Sequence, residues 1–164
     1  MFRRLFFVII LAVASIATHA SISNSDDSTI LIIGDSLSAG LGVAYNQAWP
    51  SLLQDRLNKD GFSIEVVNAG ISGDTTAGGA ERLPNLLRKY SPSIVIIELG
   101  GNDGLRGTSI NSIETNLRSM IEVTLDQGAK ILLIGMQLPP NYGNIYATSF
   151  QDLFPTLAGE YSIG

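Results

Sequence analysis

The stretch of residues 30–37 reads ILIIGDSL and joins four consecutive apolar residues to a glycine and a polar turn. Apolar runs without polar alternation are typical of parallel strands that are buried on both faces. Three further runs of this kind, at residues 64–67, 94–99 and 131–134, end in glycines or small polar residues. The sequence therefore predicts four parallel strands in one sheet.

Apolar residues recur with helical spacing in the segments that follow these runs. The four stripes contain Trp49, Leu52, Leu53 and Leu57; Leu83, Leu86, Leu87 and Tyr90; Ile113, Leu117, Met120, Ile121, Thr124 and Leu125; and Phe150, Leu153, Phe154 and Leu157. Pro155 is expected to kink the fourth helix or to shift its start. Because strands and helices alternate, the order predicts a doubly wound α/β fold.

The first twenty residues have the pattern of a secretory signal peptide. Arg3 and Arg4 precede an apolar stretch that is short for a membrane span, and small residues stand before position 21. The expected parts are a signal peptide at 1–20, a polar lead-in at 21–28 and a single domain at 29–164. We expect export to the periplasm or secretion, and an uncleaved membrane anchor is the alternative.

The charge and the cysteine content of the chain exclude several kinds of partner and modification. Cleavage after residue 20 would lower the formal net charge from −5 to −7, and the chain has no cluster of Lys and Arg, so no nucleic-acid partner is expected. Cysteine is absent, which excludes disulfides and a lipid-modified cysteine. We expect a monomer with no stable membrane span after cleavage.

The last residues, 161–164, read YSIG and look like the opening of a fifth strand. A two-sided parallel sheet that lost a strand and its helix would expose apolar surface. We therefore expect the domain to be incomplete at its C-terminus and poorly soluble, and a natural short form with a smaller sheet is the alternative.

Small and polar residues follow three of the predicted strands: Ser36, Gly73 and Asn102. Ligands of open parallel sheets bind beyond the carboxyl ends of the strands. Ser36 can act as a nucleophile, and its N–H, the Gly73 N–H and the Asn102 amide can hold an oxyanion. Each residue alone could be a helix cap, a turn or a loop contact. Their combination predicts a serine hydrolase.

Four acidic residues surround these positions. Asp35, Asp74 and Asp103 each directly follow or precede a candidate residue, and we expect them to brace the loops by accepting backbone N–H groups. Glu98 lies inside an apolar run and needs either a partner or neutralisation. The sequence offers two candidate partners, Arg82 and Arg106, and does not choose between them.

The sequence lacks the motifs of several other classes of enzyme and binding site. The sequence has no G-x-S-x-G elbow and no phosphate-binding loop, and its only histidine, His19, lies in the predicted signal peptide. A zinc site is therefore not expected, and the serine has no imidazole base in the mature chain.

Several blocks resemble those of the SGNH, or GDSL-type, hydrolases. They are GDSLS at 34–38, NAGISGDT at 68–75 and GGND at 100–103. The runs ELGGNDGLRG at 98–107 and LPPNYG at 138–143 look like the bacterial periplasmic branch of acyl-CoA thioesterases, lysophospholipases and arylesterases.

The resemblance implies a flavodoxin-like three-layer α/β/α fold around a parallel sheet. It implies Ser36 as the nucleophile, with Gly73 and Asn102 in the oxyanion hole, and no metal or cofactor. The implied substrates are small molecules: acyl thioesters, lysophospholipids and aryl esters. The loop after Asn102 would border the acyl groove with Gly104, Leu105 and Arg106.

The last block of the family, Asp-x-x-His, has no counterpart in this sequence. The resemblance implies that this block supplies the general base and the residue that orients it. A positioned general base contributes about 10²–10⁴-fold to the rate of a reaction. We therefore expect the chain as written to be nearly inactive and its full-length parent to be an esterase. The alternatives are a carbohydrate O-acetyl esterase of the same superfamily and a catalytically inactive lipid- or ligand-binding protein.

Overall fold

The computed structural model describes residues 28–164, so the predicted signal peptide, most of the lead-in and His19 lie outside the described residues. The strands are β1 (Ser28–Gly34), β2 (Ile64–Asn68), β3 (Ile94–Glu98) and β4 (Lys130–Leu133). The helices are α1 (Ser36–Ala39), α2 (Trp49–Lys59), α3 (Thr76–Tyr90), α4 (Gly101–Leu105), α5 (Ile110–Asp126) and α6 (Asn144–Tyr161). All four predicted strands and all four predicted long helices are present.

The strands form one sheet in the order β2-β1-β3-β4, and every pair is parallel. Alternate residues of β1 point to opposite faces, so Leu31 and Ile33 pack with α3, α5 and α6. Ile30 and Ile32 pack with the apolar face of α2. Helices therefore cover both faces, and the predicted three-layer α/β/α arrangement is confirmed.

The short helices α1 and α4 were not predicted. Each begins two or three residues after the last residue of a strand, at Ser36 and at Gly101. Helices of four and five residues are too short to carry an apolar stripe, so periodicity cannot reveal them. They place the residues of the serine and asparagine motifs directly at the carboxyl edge of the sheet.

Two expectations about helix faces were wrong. Leu52 in α2 is 52% exposed, because Trp49, Leu53 and Leu57 supply the contacts with the sheet. Leu125, at the end of α5, is also exposed. Helix α6 neither starts near Pro155 nor stops there, since it begins at Asn144 and runs through the proline to Tyr161.

The predicted opening of a fifth strand at residues 161–164 is met at Gly164 and not before it. Tyr161 ends α6, and Ser162 follows with a positive φ of 52°. Gly164 then bonds to β4 in the pattern of a parallel strand: its N–H donates to the Ile131 carbonyl at 3.2 Å, and its carbonyl accepts from the Leu133 N–H at 2.8 Å. Within residues 28–164, no helix is long and apolar enough to cross a membrane.

The start of α3 is tied to α4 by a buried carboxylate. Asp103 accepts hydrogen bonds from the Thr76 N–H at 2.9 Å and from the Thr76 hydroxyl at 2.7 Å. Asn116 of α5 donates to the same hydroxyl at 3.0 Å. This network fixes the loop that precedes α3, which contains Gly73.

We expect Asp103→Ala to lower the free energy of unfolding by about 2 kcal/mol, because it leaves two buried donors of Thr76 without an acceptor. Chemical denaturation measures the loss. Asp126→Ala, an exposed carboxylate at the end of α5, is the matched control and should be neutral or slightly stabilising. Equal effects of the two substitutions would contradict the proposed role of the buried network.

Candidate functional site

Ser36 lies immediately after β1 and is the first residue of α1. Asp35 caps this helix, because its Oδ1 accepts the Leu37 N–H at 3.0 Å. Gly34 has no room for a side chain: a Cβ there would lie 2.3 Å from the Ser38 Oγ. The tight turn from strand to helix thus explains both the glycine and the aspartate that precede the serine.

A buried carboxyl group lies beneath this turn. Glu98, only 4% exposed, accepts through Oε2 from the Ser38 hydroxyl at 2.7 Å and from the Asp35 N–H at 3.3 Å. Its Oε1 has no hydrogen-bond partner among residues 28–164. Burial raises the pKa of Glu98, although the hydrogen bond from Ser38 opposes the shift. The sequence left two possibilities for Glu98, a charged partner or a neutral carboxyl group, and the neutral carboxyl group fits this environment.

The pKa shift of Glu98 predicts a pH dependence of stability. A carboxyl group with a raised pKa in the folded state contributes stability that is present below its unfolded-state pKa and is lost as pH rises through its folded-state pKa. Glu98→Gln removes this loss and keeps an acceptor for Ser38. We therefore expect the stability of the variant relative to wild type to improve as pH rises from the ordinary carboxyl range through the raised pKa of Glu98.

Urea denaturation over that pH range measures this change. Glu65→Gln, at an exposed position of β2, is the matched control and should show no such trend. A difference between Glu98→Gln and wild type that does not vary with pH would contradict the assignment.

Neither candidate arginine contacts Glu98. Arg82 forms an ion pair with Asp74 at 2.8 Å and also donates to the Gly34 carbonyl at 3.3 Å. Arg106 donates to the Gly73 carbonyl at 3.1 Å. Both arginines therefore hold the loop after β2 in place. Gly73 within that loop has a φ of +81°, which favours glycine.

The side-chain amide of Asn102 joins three loops. Its Nδ2 donates to the Asp35 Oδ2 at 3.0 Å and to the Asp74 carbonyl at 2.8 Å. Asp35 precedes Ser36 and Asp74 follows Gly73, so the amide lies between the neighbours of both residues. Both of its N–H groups are engaged in this arrangement.

The three aspartates brace the loops as the sequence predicts. Each accepts a backbone N–H: Asp35 from Leu37, Asp74 from Thr75 and Asp103 from Thr76. Asp35 and Asp74 also orient the Asn102 amide and the Arg82 guanidinium respectively. Their side chains are therefore committed to structural contacts.

A cleft of about 830 Å³ opens beside the serine. Of the candidate residues, Ser36, Asn102 and Leu105 line it, whereas Gly73, Gly104 and Arg106 do not. Gly104 is buried, and a Cβ there would lie 2.6 Å from the Leu138 side chain, so it permits close packing below the cleft wall.

The apolar wall of the cleft comes largely from residues that sequence reasoning missed. They are Trp49 at the start of α2 and Ile134, Met136, Leu138 and Pro139 after β4. The rule that ligands bind at the carboxyl ends of parallel strands could have identified the segment after β4. Gln137 is the one polar side chain of residues 134–139, so the segment did not stand out as a source of catalytic groups.

Sequence and structure comparisons agree on the relatives of this chain. Residues 32–163 match the model of the "GDSL-like Lipase/Acylhydrolase family". "Esterase TesA" of Pseudomonas aeruginosa is 51% identical over 132 residues, which cover 80% of this chain and 66% of the relative. "Thioesterase 1/protease 1/lysophospholipase L1" of Escherichia coli is 44% identical over 135 residues, which cover 82% of this chain and 64% of the relative.

Among solved structures, one described as "Crystal Structure of TesA" superposes with a TM-score of 0.81 at 49% identity. It covers 83% of this chain, and the match spans 76% of that structure. The chain thus spans about two thirds of the length of the curated relatives it matches, between 64% and 66%.

Proposed function

Because the chain belongs to the GDSL-like lipase/acylhydrolase family, we propose that it hydrolyses carboxylic esters and thioesters through an acyl group carried on Ser36. The observation that carries the proposal is the Asn102 amide, which bonds the loop of Ser36 and the loop of Gly73 at once. A nucleophile and donors from separate loops are what acyl transfer requires.

In the proposed reaction, the Ser36 hydroxyl oxygen attacks the carbonyl carbon of the substrate. The carbonyl oxygen becomes an oxyanion and accepts from the N–H groups of Ser36 and Gly73 and from the Asn102 amide. Collapse of this intermediate expels the alcohol or thiol, which carries away the proton that the Ser36 hydroxyl gives up, and leaves an ester on Ser36. Water then releases the carboxylic acid, and no cofactor takes part.

The role of Asn102 requires one of its present hydrogen bonds to change. The bond to the Asp74 carbonyl is the one to a neutral acceptor, whereas Asp35 offers a carboxylate. A developing oxyanion is a stronger acceptor than a carbonyl, because hydrogen bonds to charged groups are roughly twice as strong as neutral ones. We propose that the N–H now on Asp74 turns to the oxyanion.

Residues 28–164 supply no imidazole to act as the general base for Ser36, since the only histidine of the sequence is His19. Asp35, Asp74 and Asp103 are engaged in loop contacts, and we assign the role of base to none of them. We propose that full activity needs an imidazole that this part of the chain does not supply.

The lining of the cleft supports acyl chains longer than acetyl as substrates. Its wall is formed by Leu105, Trp49 and the apolar segment after β4, and burying a methylene group stabilises binding by about 0.8 kcal/mol. Long-chain thioesters, lysophospholipids and aryl esters fit this surface. A carbohydrate O-acetyl ester would leave most of the cleft unused.

Covalent labelling tests the proposed nucleophile. We expect p-nitrophenyl butyrate to leave a butyryl group on Ser36 slowly, because p-nitrophenolate leaves readily even though no base activates the serine. The group accumulates because no base activates the water of the second step. Acid quenching followed by peptide mass spectrometry locates the group. Ser72→Ala, in the neighbouring loop, should label like wild type, and labelling that persists in Ser36→Ala would contradict the proposal.

We further propose that residues 1–20 are a signal peptide and that the mature protein is a periplasmic or secreted monomer. Arg3, Arg4 and the apolar stretch that follows support export. Expression in a bacterium with N-terminal sequencing should find a start at Ser21, and light scattering should give the monomer mass. An intact N-terminus in the membrane fraction would favour the anchor instead.

A further inference from the structure

One arginine side chain of α3, that of Arg82, bridges the ends of two neighbouring strands. Its Nη2 donates to the carbonyl of Gly34, the last residue of β1, at 3.3 Å. Its Nη1 donates to the Ala69 carbonyl at 2.6 Å, and its Nε donates to the Asp74 Oδ2 at 2.8 Å. The last two acceptors lie on either side of Gly73 in the loop after β2. The guanidinium therefore sets the spacing between the serine turn and the Gly73 loop.

The surroundings of the ion pair between Arg82 and Asp74 are shaped to hold it. The two side chains are 20% and 12% exposed respectively, so water and salt screen the pair less than a surface pair. Asp74 also accepts the Thr75 N–H through its Oδ1 at 2.9 Å. Gly78, in the first turn of α3, leaves the space for this carboxylate, because a Cβ there would lie 2.1 Å from the Asp74 Oδ1. Both oxygens of Asp74 are thus fixed.

Within residues 28–164, three side chains from outside the loop hold its Gly73–Asp74 segment. Asn102 donates to the Asp74 carbonyl at 2.8 Å. Arg106, which is exposed, donates to the Gly73 carbonyl at 3.1 Å. In the proposed reaction the Asn102 N–H leaves the Asp74 carbonyl, at the moment when the Gly73 N–H must also meet the oxyanion. The partly buried contact that remains during this step is the one from Arg82.

We propose that Arg82 is a positioning residue that keeps the Gly73 N–H in the oxyanion site while the Asn102 amide turns, an inference that rests on the proposed ester hydrolysis. Arg82 does not line the cleft, so it acts through the loop and not on the substrate. Its planar guanidinium presents donors in a rigid fork, whereas a lysine ammonium is a point charge on a flexible stem. Lysine can pair with Asp74 but cannot span the carbonyls of both strand ends.

We expect Arg82→Lys to lower kcat by about 10–10²-fold, because a misplacement of about 1 Å in a catalytic group costs up to that factor. KM should change little, since the oxyanion exists only in the transition state and the cleft wall is untouched. Steady-state hydrolysis of p-nitrophenyl butyrate in imidazole buffer measures both constants. The rate of Ser36→Ala is subtracted as the background.

The matched control is Arg118→Lys on α5. Arg118 is also partly buried, at 31% exposed, and its guanidinium bridges Glu114 of its own helix at 2.7 Å and Glu160 of α6 at 2.5 Å. It does not line the cleft. We expect Arg118→Lys to lower the melting temperature about as much as Arg82→Lys, because each loses a guanidinium bridge, and to keep the wild-type kcat and KM. Thermal unfolding by circular dichroism gives the melting temperatures.

A second variant tests the ion pair with the arginine in place. Asp74→Asn keeps the main-chain carbonyl that accepts from Asn102 and a side-chain oxygen for the Thr75 N–H, but it removes the charge that Arg82 faces. Hydrogen bonds between charged groups are stronger than those to a neutral amide. We therefore expect a loss of kcat in the same direction as in Arg82→Lys but smaller, because the two carbonyl contacts of the arginine remain.

Four results would overturn the proposal. A kcat of Arg82→Lys equal to that of wild type, in an assay where wild type exceeds Ser36→Ala, removes the positioning role and leaves ester hydrolysis in place. Equal losses of kcat in Arg82→Lys and Arg118→Lys would assign the effect to general stability. A higher KM with an unchanged kcat would assign Arg82 to ground-state binding. Equal rates in wild type and Ser36→Ala would overturn the proposed function and this inference with it.

Discussion

Replacing Ser36 with alanine should abolish ester hydrolysis beyond the background rate. Residues 28–164 contain no histidine, so we expect the wild-type chain to be slow and to accelerate when imidazole is added to the buffer. A general base contributes about 10²–10⁴-fold. With saturating imidazole, we therefore expect the wild type to exceed Ser36→Ala by at least about 100-fold in p-nitrophenyl butyrate hydrolysis.

The comparison of the two proteins removes the direct reaction between imidazole and the ester, because that reaction is the same in both. Ser72→Ala serves as the matched control in the neighbouring loop and should respond to imidazole like wild type. Identical imidazole dependence in wild type and Ser36→Ala would exclude the serine as nucleophile. A fast wild-type reaction without imidazole would instead place a base among the described residues.

Replacing Asn102 with alanine should lower kcat by about 10²–10³-fold and change KM little. The amide is expected to bind the oxyanion, which exists in the transition state and not in the bound ester. Loss of one such donor costs about 2.7–4 kcal/mol of transition-state stabilisation. Steady-state kinetics with p-nitrophenyl butyrate in imidazole buffer measures the effect.

The loss of loop contacts needs a separate control, because Asn102 also bonds Asp35 and Asp74. Asn116→Ala removes a partly buried amide that donates to Thr76 and does not line the cleft. We expect it to lower the melting temperature about as much as Asn102→Ala and to lower kcat much less, because it loosens a contact that holds the Gly73 loop but removes no oxyanion donor. Equal losses of kcat in both variants would show that Asn102 contributes to structure and not to oxyanion binding.

The sheet was predictable because its evidence is local. A run such as residues 30–33 has no polar alternation, is only four residues long and ends in a glycine, which is typical of a strand buried on both faces. The same holds for the long helices, whose apolar spacing matches one helical face. Short α1 and α4 escaped prediction because four or five residues carry no period.

The candidate site was predictable where it depends on strand ends. Parallel strands present their carboxyl ends at one edge, so the sequence predicts Ser36, Gly73 and Asn102 on neighbouring loops. The observed bonds from Asn102 to Asp35 and Asp74 agree with loops that meet. Roles in catalysis remain for the experiments above.

By itself, the sequence determined the order of the strands and long helices and the three loops that carry the candidate site residues, because both follow from patterns within a few residues. Only the tertiary structure decided that Ser38 rather than an arginine partners Glu98, and that the segment after β4 forms the cleft wall. These contacts join residues some 60 or more positions apart, as in the separation of 60 between Ser38 and Glu98. Strand register and side-chain packing set such contacts, and no local pattern encodes them.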